Sequence, residues 1–96
     1  MKFLKIQHNS PRPVIDIVFA REIPDSDYCV LTFDENETIH YFAGYDEDQK
    51  VMQLVLNEKG IQNEEIDENS LRQLSPAGRY SLFGNKNLLP ISMPGR

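Results

Sequence analysis

His40 is the residue best suited to acid or base chemistry in this 96-residue chain. An imidazole titrates near neutrality, and the local sequence TIHYFAG sets it in mid-strand beside aromatic neighbours. Catalysis also needs an orienting carboxylate, and Asp16, Asp34 or Glu37 would serve only if the strand order brought one alongside. Cys29 is the sole cysteine, so it makes no internal disulfide, and it would act as a nucleophile only with His40 as its base. A hairpin joining their two strands puts them on opposite faces, so Cys29 reads as a small buried hydrophobe.

Two clusters offer oxygen ligands: Asp46, Glu47 and Asp48, and then Glu64, Glu65, Asp67 and Glu68. Neither carries the glycine and distal glutamate of a calcium loop. The first set suits the positive end of a helix, the second a solvated surface, and no metal or other cofactor is expected. The stretch GNKN at 84–87 lacks the repeated glycines that let several backbone amides converge on a phosphate, and it reads as a turn. Arg12 between Pro11 and Pro13 is too short a motif to define a polyproline ligand.

Charge is distributed unevenly. The net charge is -5, yet residues 1–21 carry +3, residues 22–68 carry -12 and residues 69–96 carry +4, the last from Arg72, Arg79, Lys86 and Arg96 with no acid among them. If the ends fold back on the middle, the charges neutralise one another. If they do not, an acidic surface steers toward a basic partner.

The elements that must position these groups follow from periodicity and turn residues. Residues 2–7 read as a strand, 8–13 as a proline-bound loop, and the β-branched run 14–20 as a covered strand. Strands at 28–33 and 38–43 form a hairpin in which Asn36 takes the left-handed position, Thr32 opposes Thr38, Leu31 opposes Ile39 and Cys29 opposes Tyr41. One face then carries Cys29, Leu31, Phe33, Ile39, Tyr41 and Ala43 and is expected to be core. The other carries Tyr28, Val30, Thr32, Thr38, His40 and Phe42.

Asp46 with Gln49 predicts a helix start, Val51, Met52, Leu54 and Val55 an apolar stripe, and Gly60 a stop, giving a helix over 46–59. Residues 61–69 read as an acidic connector or short edge element. Ser70 caps a turn over 71–74 that Ser75 and Pro76 end. Residues 79–83 and 88–91 read as a second hairpin, and 92–96 as a tail that nothing obliges to be ordered. Tyr45 and Tyr80 are the tyrosines expected to be exposed.

The expected fold is a single α+β domain over 1–91: an antiparallel sheet of about five or six strands with one main helix packed on one face. That helix would cover the Cys29 face and leave Tyr28, Val30, His40 and Phe42 as a partner or dimer surface. No apolar run approaches the roughly 20 residues of a membrane helix, and residues 1–7 lack the apolar core and cleavage site of a leader, so a cytoplasmic location is expected.

The functional expectation is a non-enzymatic acidic protein-binding module, a regulator or inhibitor of the immunity or phage anti-defence type. It would engage a basic protein through Glu64, Glu65, Asp67 and Glu68. The alternatives are a nucleic-acid accessory protein using Arg72, Arg79, Lys86 and Arg96, a small enzyme centred on His40, and a homo-oligomeric structural subunit.

Overall fold

The computed structural model describes residues 1–74 and 79–91. The stop at Ser75 and Pro76, the tail at 92–96 and Arg96 within it lie outside the described residues. The elements run β1 (Lys2–Gln7), α1 (Arg12–Ala20), β2 (Tyr28–Phe33), β3 (Ile39–Gly44), α2 (Asp46–Glu58), β4 (Gln62–Ile66), α3 (Glu68–Arg72) and β5 (Tyr80–Gly84). Short 3-10 turns occupy Asp25–Asp27, Asp34–Asn36 and Lys86–Leu88.

All five strands join one antiparallel sheet in the order β4-β1-β3-β2-β5, so the fold is α+β. β1-α1-β2 and β3-α2-β4 are two split β-α-β units, each skipping one strand position, and their interleaving gives the ferredoxin-like βαββαβ arrangement. α3, β5 and the turn after it are additions to that frame.

The run expected as a strand at 14–20 is the helix α1, and the expected proline loop contains its start. Pro11 is the N-cap and Pro13 lies in the first turn, where a missing N–H costs nothing. Val14, Ile15, Ile17 and Val18 recur at helical spacing and are all buried. Their β-branched type had suggested a strand, but packing of this stripe on the sheet outweighs a propensity difference of a few tenths of a kcal/mol per residue.

α1 and α2 close in the same way. After α2, Gly60 adopts φ 72°, its N–H bonds to the Asn57 carbonyl and the Ile61 N–H bonds to the Leu56 carbonyl, with Leu56 and Ile61 sharing the core. After α1 the same pair of bonds runs from Glu22 to Phe19 and from Ile23 to Val18, but Glu22, at φ 54°, stands where glycine is free. Replacing exposed Glu22 by glycine should therefore stabilise the fold by about 1 kcal/mol. The check is a higher denaturant midpoint at an unchanged m-value; a lowered midpoint would show that the Glu22 side chain contributes more than its backbone costs.

The β2–β3 hairpin is present, but Leu31 faces Tyr41 and Thr32 faces His40, a shift of two residues from the expected register. The cause is the connection: Asp34–Asn36 forms a 3-10 turn, and Asn36 is not left-handed. Because the shift is even, every side chain keeps its expected face.

What covers each face is the reverse of the expectation. α1 and α2 both pack on the face of Leu4, Ile6, Tyr28, Val30 and Phe42. The opposite face, with Phe3, Cys29, Leu31, Phe33 and Ala43, is covered by Leu71 and Leu89, with Leu74, Leu88 and Ile91 at the margin. The expected second hairpin is absent: β5 pairs with β2, and 88–91 forms no strand but folds its leucines onto that face. On α2, Met52 and Leu56 are fully buried with Gln49 beside them, while Leu54, expected in the stripe, is 61% exposed.

Candidate functional site

His40 lies near the start of β3, on the helix-covered face, and has no solvent exposure. Its Nε2 is 3.0 Å from the His8 carbonyl and its Nδ1 is 2.7 Å from Thr32 Oγ1. A carbonyl only accepts, so Nε2 carries the hydrogen and Nδ1 accepts from the threonine hydroxyl. Both nitrogens of the neutral ring are thereby satisfied. Burial lowers the affinity of His40 for a proton, against the opposing influence of the His8 carbonyl. The three groups bind β1, β2 and β3 together at one end of the sheet, and neither ring nitrogen is presented to solvent.

Cys29 faces the other way, fully buried with Leu31 and Phe33, and burial pushes its thiol up to about 12. A neutral, enclosed thiol is a poor nucleophile. The surface expected from Tyr28, Val30, His40 and Phe42 is not open: none of the four is more than 2% exposed, because α1 and α2 lie over them. Tyr80 is also buried, while Tyr45 is exposed as expected. Among the described residues, the large exposed apolar side chains are Met1, Phe19, Tyr45, Leu54 and Phe83.

The acidic residues expected to bind a partner run along β4 and into α3, all four exposed. β4 is an edge strand, as the sequence suggested for this segment, and its register with β1 sets Glu64 opposite Lys5 and Glu65 opposite Leu4. The Lys2 ammonium reaches Glu65 at 3.1 Å, and the Arg72 guanidinium reaches Glu68 at 3.2 Å. Asp67 caps α3, accepting from the Ser70 N–H and hydroxyl at 2.8 Å each, which holds its carboxyl below the usual range. The basic N-terminus thus meets part of the acidic middle.

A second acidic locus forms at the end of the sheet where β2 begins and β3 ends. Asp27, from the turn before β2, and Glu47 act on Asp48 in the first turn of α2; burial first, then these two charges, raise its carboxyl. Asp46 is 3.7 Å from the N-terminal ammonium. No local pattern announces this gathering, because Asp27 and Asp48 come from different elements. Among the described residues, no group of three or more His, Cys, Asp or Glu side chains is arranged to hold a metal ion.

Of the cations expected as a basic patch, Arg72, Arg79 and Lys86 are among the described residues. Arg72 is paired within α3, and Arg79 and Lys86 flank opposite ends of β5, a strand about 17 Å long. Among the described residues, no helix is long and apolar enough to cross a membrane.

The class this geometry defines is a ferredoxin-like α+β sandwich whose second sheet face is sealed by its own C-terminal additions and whose edge and one end are acidic. Compared with models of protein families, with curated proteins and with solved structures, the chain gives no match in any of the three.

Proposed function

We propose that this chain is a small non-enzymatic protein-binding module, a regulator or inhibitor that engages the basic surface of another protein. One observation carries the reading: of fifteen acidic residues, only Asp16, Asp46, Glu65 and Glu68 have an ion-pair partner among the described residues. The remaining carboxylates include Glu64 on the β4 edge, Asp25, Asp27, Glu47 and Asp48 at the sheet end, and Asp34, Glu35 and Glu37 in the hairpin turn, and they leave a net negative field. Such a field raises the rate of encounter with a cationic surface and selects against anionic ones. The buried positions of His40 and Cys29 are consistent with this reading.

The test is capture from lysate by the tagged full chain at low and high salt, followed by association kinetics with the captured protein. Glu47 and Glu64 are exposed acids without an ion pair among the described residues, so E47K/E64K alters the field without breaking one. A basic protein is expected to be captured in a salt-sensitive manner, and to associate several-fold to about tenfold more slowly with the variant. Capture of nucleic acid alone, or an unchanged association rate at low salt, would overturn the reading.

A further inference from the structure

The sheet has two edges, and they differ. At the β5 edge the Asp25–Asp27 turn packs against the strand, and the Asn85 N–H that follows it bonds to the Tyr28 carbonyl. Among the described residues, β4 pairs only with β1, in an unbroken register from Phe3 opposite Ile66 to Gln7 opposite Gln62, with no proline in the strand.

The phase of its hydrogen bonds follows from one contact beyond the end of β1. The His8 N–H bonds to the Thr38 carbonyl at 2.8 Å, so even-numbered residues of β1 turn their backbone groups toward β3 and odd-numbered ones toward β4. Phe3, Lys5 and Gln7 therefore hold Ile66, Glu64 and Gln62. The backbone N–H and C=O groups of Asn63 and Glu65 point outward from the sheet, as a row of donors and acceptors for another strand.

Charge decides which strand fits. In a second copy added antiparallel about Glu64, Glu64 would oppose Glu64 and Glu65 would oppose Asn63, placing like charges directly across the new ladder. A segment carrying lysine or arginine meets the same carboxylates attractively, with exposed Asp67 and Glu68 extending the acidic run.

We infer that β4 is a strand-addition site for an extended basic segment of a partner protein. This rests on the protein-binding reading above and specifies how binding occurs: outward main-chain groups supply the hydrogen bonds, and the glutamates supply the selection.

The probe is an acetylated, amidated nonapeptide of alternating lysine and valine, added to the full chain and followed by amide hydrogen exchange. At saturation, the Asn63 and Glu65 amides are expected to exchange about tenfold or more slowly, whereas those of Gln62, Glu64 and Ile66 are protected already. Salt-sensitive binding without new protection at Asn63 and Glu65 would overturn strand addition while leaving the acidic-module reading intact. Absence of binding would also overturn it, and protection that rises with protein concentration before peptide is added would assign the edge to a second copy instead.

Two variants separate backbone from charge. E65P removes an outward N–H without touching a bond to β1, and E65Q removes the charge alone. E65P is expected to bind the peptide about tenfold more weakly than E65Q, and equal losses would overturn the inference. The exchange experiment on the unaltered chain decides the matter even if E65P does not fold.

Discussion

Gly84→Ala is expected to destabilise the protein by about 2–4 kcal/mol, lowering the melting temperature by roughly 10–30 °C. Gly84 ends β5 opposite Cys29 at φ 86°, and a Cβ there would sit on the Tyr28 carbonyl oxygen and lie 3.1 Å from its carbon. That carbonyl already accepts from the Asn85 N–H at 2.7 Å, so it is held in place. Gly60 is the comparison: it has φ 72° but open space around its missing side chain. Gly60→Ala should cost only about 1 kcal/mol. Paired denaturation curves test the difference, and equal losses would show that close approach to Tyr28 contributes nothing.

Acidification is the second large effect. Because burial disfavours the imidazolium, the folded chain holds the His40 proton less tightly than the unfolded chain does. Stability from this group is complete above the ordinary imidazole value of about 6.5. It is lost as the pH falls through that value, with a slope of up to about 1.4 kcal/mol per pH unit, until folded His40 itself protonates. His40→Gln should flatten the curve between about pH 7 and 5.5. It should also lose about 1–3 kcal/mol near pH 7.5, because the Thr32 hydroxyl and His8 carbonyl lose well-placed partners. An undiminished slope in the variant would assign the acid sensitivity to other groups.

Side-chain alternation in the sheet was legible because it depends on a two-residue period that survives an even register slip. Tyr28, Val30, His40 and Phe42 share a face in the expected hairpin and in the observed one alike. Which face the helices cover was not legible, because both faces are covered and so both are rich in apolar side chains. α1 was misread for a related reason: in VIDIVFA, strand-favouring residue types occupy helical spacing, and the sheet they pack against is assembled from distant segments.

The acidic residues Glu64, Glu65, Asp67 and Glu68 were legible as a cluster, and their ion pairs were not, since Lys2 reaches Glu65 only through the pairing of β1 with β4. The outward groups of Asn63 and Glu65 are a property of the topology and have no signature of their own. The E47K/E64K variant should be less stable than the parent by about 0.5–1 kcal/mol in a denaturant melt, because E64K sets a like charge opposite Lys5 and E47K puts a cation in the first turn of α2.

The cover over the second sheet face also sets an order on synthesis. The βαββαβ frame is complete once Ile66 has left the ribosome, yet Phe3, Cys29, Leu31 and Phe33 wait for Leu71, Tyr80 and Leu89. At roughly 5–20 residues per second the nascent chain spends a second or more with an apolar sheet face bare. Leu71, Tyr80 and Leu89 thus close a surface that the finished molecule no longer shows.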